Sequence, residues 1–163
     1  MSLTLWTARS DAAEFAEPIE AAHGESAWFA KDAFRANLRV DFGGHTLIDG
    51  TILIDPATER TRIEADDDSV MVWDGERAWV TPSSREIAYG VRFHVKTWTY
   101  FLAAPYKLDD PGSTLTELER LPLMENEAPM DAAKLTFGSG VGDTPDDWYV
   151  VYRDGQDRLA GLA

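Results

Sequence analysis

The chain has 163 residues, 44% of them apolar, with 29 acidic and 15 basic side chains, a net charge of -14 and no cysteine. This composition is typical of one folded domain with a sizeable core, and it excludes disulfides, thiolate catalysis and cysteine-bound zinc. The negative charge repels phosphate backbones, so we expect no nucleic acid as a partner. We also expect no transmembrane segment, because no apolar run reaches the roughly 18 residues that a spanning helix needs.

The first periodic segment is helical. From Ser10 to Ala22 the apolar residues recur at the spacing of one helix face, and Ser10 is a suitable N-cap. Gly24 follows as a natural C-terminal cap. Pro18 removes a backbone donor inside this segment, so we expect it to kink or divide the helix.

A period of two begins at Arg35, where Leu38, Val40 and Phe42 alternate with polar residues and are expected to face the core. Turn sequences rich in glycine, aspartate and proline then separate a series of short strands. No crossover helix lies between them, which indicates an antiparallel meander. The five predicted strands are 35–42, 46–54, 60–65, 69–73 and 77–81.

The middle of the chain returns to helical spacing. Lys96 to Ala104 carries Trp98 and Phe101 on its apolar positions and ends before Pro105. Strands resume at 114–121, 133–137 and 148–153. The segment from Arg158 would be a stub of the strand that pairs with 148–153, so we expect one domain over residues 1–163 whose C-terminus is truncated.

Polar side chains that could perform chemistry are scattered. His23, His45 and His94 form no recognisable metal motif. Acidic residues from Asp143 to Asp147 lack the spacing of a calcium loop and are read as a turn. We therefore predict no catalytic residues, no metal ligands and no cofactor, and an enzyme that uses His23 or these carboxylates is the least favoured alternative.

Several stretches together resemble a bacterial family that is similar to the periplasmic lipoprotein-carrier (Lol-type) superfamily. The stretches are His23-Gly24, 73–80 (WDGERAWV), 97–101 (TWTYF) with 105–108 (PYKL), and 142–149 (GDTPDDWY). The resemblance covers most of the chain from about His23. It implies a mainly β (α+β) fold in which a single curved antiparallel sheet forms an unclosed β-barrel. An N-terminal helix and the central aromatic helix would cover its concave face.

The resemblance and the aromatic content together predict the binding or carrying of a lipid or other apolar ligand. The central helix either plugs the core or closes a cavity, and the residues alone leave both possibilities open. A protein-interaction module with a plugged core and an open sheet edge is the alternative. A periplasmic or exported location is implied by the resemblance only. The predicted ligand-binding residues are Trp28, Phe93, Trp98, Phe101, Tyr106 and Trp148.

Overall fold

The computed structural model describes residues 11–139 and 146–163. Within these ranges lie three α-helices, one short 3₁₀ helix and nine strands. The helices are α1 (Asp11–His23), α2 (Glu25–Phe29), α3 (Val91–Ala103) and the 3₁₀ helix Ala104–Tyr106. The strands are β1 (Phe34–Phe42), β2 (His45–Ile54), β3 (Thr61–Ala65), β4 (Val70–Trp73), β5 (Ala78–Thr81), β6 (Ser113–Glu117), β7 (Asp131–Phe137), β8 (Trp148–Arg153) and β9 (Leu159–Leu162).

The chain divides into two compact units, of which one comprises residues 26–103. Its five strands form an antiparallel sheet in the order β1-β2-β3-β4-β5, so every strand pairs with its neighbour in sequence. The β1–β2 hairpin is tight because Gly43 and Gly44 take φ values of 60° and 80°. Such positive φ values cost glycine little and suit the twist of a two-residue hairpin.

One face of this sheet is apolar, and α3 packs on it. Ile52 of β2 pairs with Ile63 of β3, and Ile63 pairs with Met71 of β4. All three side chains are buried. Val95 of α3 joins the same core cluster. The Thr99 hydroxyl lies 2.7 Å from the hydroxyl of Thr61, which satisfies both buried groups between helix and sheet.

Gly50 marks a close approach between two strands of this sheet. A Cβ atom at Gly50 would lie 2.1 Å from the carbonyl oxygen of Glu64 and 2.8 Å from the Cα of Ala65. Both are backbone atoms of β3, which cannot move without disturbing the ladder. Glycine is therefore required in β2 by the proximity of the neighbouring strand.

The second unit comprises the described residues up to Glu25 together with those from Ala104 onward. Its antiparallel sheet has the order β6-β7-β8-β9, and α1 packs against β6. Phe15 and Ile19 of α1 are buried against Leu135 and Val151 of the sheet. The core of this unit is thus a helix on a four-stranded sheet.

These observations confirm a mainly β, antiparallel α+β architecture in which neither described sheet is closed. The prediction of one continuous sheet is corrected, because the strands form two. The break falls where α3 and the 3₁₀ helix separate β5 from β6, and each sheet is covered by its own helix. Pro18 does not divide α1, which is continuous from Asp11 to His23. Gly24 takes φ 75° after it, as its predicted capping role requires.

Candidate functional site

An unbroken series of aromatic rings runs across the 26–103 unit. Phe42 packs edge-on against Tyr89 with ring centroids 5.7 Å apart, and Tyr89 lies 5.8 Å from Phe93. Trp98 continues the series at 6.3 Å from Phe93 and 6.3 Å from Phe101. All of these distances lie within the range of favourable aromatic pairs. We name these five residues the aromatic ridge.

Most of the aromatic ridge is open to solvent. Phe42 and Tyr89 are each 62% exposed, Phe93 is 41% exposed and Phe101 is 40% exposed. Single exposed apolar side chains are ordinary on protein surfaces, whereas contiguous ones mark places where another apolar surface binds. The ridge is therefore a candidate binding site.

The ridge exists because α3 is apolar on two sides. Its inner side buries Val95 and Thr99 against the sheet, while Phe93 and Phe101 lie on the side that solvent reaches. A surface helix normally presents polar residues outward. Phe93 and Phe101 are not members of the core cluster of this unit, which is consistent with a binding role.

The buried His94 orients Trp98, the central ring of the ridge, by a hydrogen bond. The indole N–H of Trp98 donates to Nδ1 of His94 at 3.1 Å, so the imidazole is neutral and carries its proton on Nε2. Nε2 in turn donates to the carbonyl of Ala88 at 2.8 Å. Burial lowers the pKa of His94, and the bond to Ala88 opposes that shift. A neutral His94 therefore holds the Trp98 ring in place.

The structure brings three of the six predicted site residues together. Phe93, Trp98 and Phe101 all lie on α3 and in the aromatic ridge. Trp28 belongs to α2 and packs against Phe34 at a centroid distance of 5.0 Å.

The remaining two predicted residues belong to the other unit. The hydroxyl of Tyr106 donates to the carbonyl of His23 at 2.8 Å, and burial raises the pKa of this phenol. Trp148 is 54% exposed, and Nζ of Lys134 lies 4.5 Å from its ring centroid. Neither residue belongs to the 26–103 unit that carries the ridge.

Sequence reasoning missed two members of the ridge. Alternation along β1 predicted that Phe42 faces the core, which is wrong, because Phe42 ends the strand opposite the exposed His45 beyond an irregularity in the ladder. Tyr89 precedes Gly90, and both take positive φ values, 64° and 81°. The pair forms the turn into α3. Because the positive φ of Tyr89 is known only from the structure, the sequence offered no signal that this ring lies exposed beside Phe93.

An open cleft of about 570 Å³ lies on the same unit. Its carboxylates mainly stabilise turns: Asp55 accepts from the Thr58 hydroxyl at 2.5 Å, and Asp74 accepts the Arg77 N–H at 2.7 Å. These bonds lower the pKa of both carboxyl groups. The lining residues are Asp32, Ala33, Leu53, Asp55, Arg60, Thr61, Arg62, Val72, Trp73, Asp74 and Glu76.

One carboxyl group of the second unit is buried. Glu20 of α1 is 8% exposed, and its pKa is raised from 4.5 to about 7. Burial is the largest cause, and the neighbouring Asp109 carboxylate adds to it by repulsion and by a hydrogen bond that favours the protonated form. Glu20 therefore holds its proton at pH values where an exposed glutamate is ionised.

His23, the histidine at the end of α1, has a structural partner. Nε2 of His23 accepts the backbone N–H of Leu159 at 3.0 Å. Residues 11–139 and 146–163 contain no group of three histidine or acidic side chains placed to hold a metal ion. Asp143, part of the acidic 143–147 segment, lies outside the described residues.

Comparison with protein-family models, with curated proteins and with solved structures gives no match to this chain. The resemblance to the lipoprotein-carrier superfamily thus stays a prediction from sequence. Of the helices in the described part of the chain, none has the length and apolar character needed to cross a membrane.

Proposed function

We propose that this protein binds a lipid or other apolar small molecule, and that the aromatic ridge is the surface on which the ligand lies. The observation that carries the proposal is the continuity of the ring contacts from Phe42 to Phe101 together with the exposure of the rings. An acyl chain or a fused ring system would cover adjacent rings without a gap. The resemblance seen in the sequence also implies an apolar ligand.

The free energy of such binding comes from apolar surface removed from water. Burial of a phenylalanine side chain that starts fully exposed contributes about 1.5 to 3 kcal/mol, so a ring that starts about 40% exposed has roughly 1 kcal/mol left to gain. Phe42 and Tyr89, which are more exposed, have more to gain. Because the ridge rings already pack against one another, little side-chain entropy remains to be lost on binding.

We infer that the ligand lies outside α3 rather than beneath it, because the inner side of the helix is packed against the sheet. Val95 and Thr99 contact the sheet directly, and the inner side of α3 is buried. The proposal therefore retains Phe93, Trp98 and Phe101 from the sequence prediction and adds Phe42 and Tyr89. A net charge of -14 disfavours anionic groups, so we expect ligands with neutral or cationic polar ends.

Titration with a fluorescent fatty alcohol or fatty-acid ester tests the proposal, since such a probe is apolar and uncharged. The double variant Phe93→Ala/Phe101→Ala removes two exposed rings and leaves the inner side of α3 intact. We expect its Kd to be about thirtyfold higher than that of the unmodified chain, which corresponds to roughly 1 kcal/mol for each ring.

Trp79→Ala provides the matched control, because Trp79 is 42% exposed on β5 and belongs to no contact of the ridge. Its Kd should stay within about twofold of that of the unmodified chain. Equal loss of binding in both variants, or no saturable binding at all, would refute the ridge as the binding surface.

A second function class is an interaction module that receives an apolar segment of another protein on the same ridge. This class is favoured because the inner side of α3 is packed against the core, so that a partner would meet an exposed surface rather than an enclosed cavity. Native mass spectrometry followed by organic extraction separates the two. A discrete small-molecule mass supports the lipid proposal, and a chain that saturates with an apolar peptide but with no lipid probe supports the alternative.

A further inference from the structure

β1 is a long edge strand of the five-stranded sheet. It has nine residues and pairs with β2 along one side. Among the described residues, no backbone group outside β2 forms a hydrogen bond with it. Long edge strands with unpaired backbone groups are the places where a sheet accepts another strand.

The sequence of β1 is complementary to itself when reversed. If Leu38 lies opposite its own copy in an antiparallel pair, Arg35 of one chain lies opposite Asp41 of the other, at both ends. Asn37 then lies opposite Arg39 on the same solvent-facing side. Directly opposed charges of unlike sign stabilise an antiparallel pair, and like charges would destabilise it.

The core-facing side of β1 matches in the same register. Ala36 lies opposite Val40 of the second copy, and Leu38 lies opposite itself. In the isolated chain Ala36 and Leu38 are only half-buried, whereas Ile52 and Ile63 in the same sheet are completely buried. An added strand would extend the apolar face where the core is now incompletely covered.

We propose that two copies of this chain associate through β1, antiparallel and centred on Leu38, to join their five-stranded sheets into one. The partner is thus a second copy, chosen by charge complementarity and by the match of apolar positions. The net charge of -14 on each copy opposes the association. The dimer is therefore weak at low ionic strength and strengthens as salt screens this overall repulsion.

A charge exchange tests the register. Arg35→Glu places a carboxylate opposite Asp41 twice in a dimer, and Asp41→Arg places a guanidinium opposite Arg35 twice. Arg35→Glu alone should dimerise about tenfold more weakly than the unmodified chain in sedimentation equilibrium, since two attractive pairs become repulsive. Asp41→Arg should weaken dimerisation similarly; it also removes the ion pair of Asp41 with Arg39 of its own chain, at 2.9 Å, which the monomer and the dimer lose alike. A mixture of the two variants should form a heterodimer as tight as the original dimer, because both charge pairs are again of unlike sign.

Arg62→Glu is the matched control, because Arg62 is an exposed arginine on β3, away from the edge, and carries the same change of charge as Arg35→Glu. At an ionic strength that screens the overall repulsion, it should leave the dimerisation constant within about twofold of the original. A monomer at all concentrations in the unmodified chain, or variants that fail to restore association when mixed, would overturn the proposal.

Cysteine substitution gives a second readout that does not depend on charge. The chain contains no cysteine, so a single introduced thiol reports one contact. Leu38→Cys should form a disulfide-linked dimer under mild oxidation because residue 38 faces its own copy within the reach of a disulfide. Asn37→Cys should not, since Asn37 faces Arg39 of the second copy. Equal cross-linking of both variants would contradict the register.

Discussion

Replacement of Glu20 by glutamine should stabilise the protein at alkaline pH and leave it unchanged at acidic pH. Glu20 is buried in α1 beside Asp109, and its pKa is raised from 4.5 to about 7. As the pH rises from about 4.5 to 7, the unfolded chain releases this proton while the folded chain retains it. The contribution of Glu20 to the free energy of unfolding therefore falls over this window, and the full destabilisation by its ionised carboxylate is present above pH 7.

The size of the effect follows from the pKa values. A pKa difference of one corresponds to about 1.4 kcal/mol, so the rise to about 7 represents at most about 3.4 kcal/mol. Asp109 is exposed, and water near the pair screens the repulsion, which reduces the expected gain to about 2 kcal/mol. Glutamine is neutral at every pH and still offers an N–H to the Asp109 carboxylate.

Urea denaturation between pH 4 and pH 8, followed by far-ultraviolet circular dichroism, measures the gain. Glu14→Gln is the matched control, because Glu14 lies on the same helix with an exposed side chain and the substitution changes the charge equally. The reasoning is refuted if Glu20→Gln gains as much at pH 4 as at pH 8, or gains no more than Glu14→Gln does.

Two further substitutions probe packing and titration. Gly50→Ala should lower the free energy of unfolding by about 3 kcal/mol, because its Cβ would lie 2.1 Å from the Glu64 carbonyl oxygen, while Gly155→Ala, with open space around it, should change it by less than about 0.5 kcal/mol. Equal urea midpoints for the two would contradict the close approach. Below about pH 6.5 the unfolded state takes up a proton at His94 that the folded state resists, so stability should fall as the pH falls, and His94→Gln should remove this component of the acid dependence. A pH profile of stability that is unchanged in the His94→Gln variant would contradict the assignment of this component to His94.

The hairpins were predictable because their signals are local. Alternation along β1 indicates a strand. The Gly43-Gly44 and Asp74-Gly75 turns specify, to within a few residues, where the flanking strands end. The start of α3 was not predicted correctly: the predicted helix begins at Lys96, whereas α3 begins at Val91. The first turn of α3 contains β-branched and aromatic residues typical of strands, and tertiary packing overrides that preference.

The candidate site depended on contacts that span long stretches of sequence. An aromatic-rich α3 could be predicted, but which of its rings face solvent depends on where the sheet lies. Thr61 and Thr99 are 38 positions apart and meet at 2.7 Å, which orients the helix. Phe42 and Tyr89 join the ridge from β1 and from the turn before α3, and no local pattern in the sequence relates them.

Photo-cross-linking with a diazirine-bearing fatty-acid ester tests the central claim most directly, because peptide mass spectrometry then locates the ligand on the chain. The account predicts saturable adducts in the segment from Tyr89 to Phe101 and in the peptide that ends β1 at Phe42, and competition by excess unlabelled ester. Adducts that saturate elsewhere, for example around Trp148 or in the cleft beside Asp55 and Asp74, would contradict the assignment of the aromatic ridge as the binding surface.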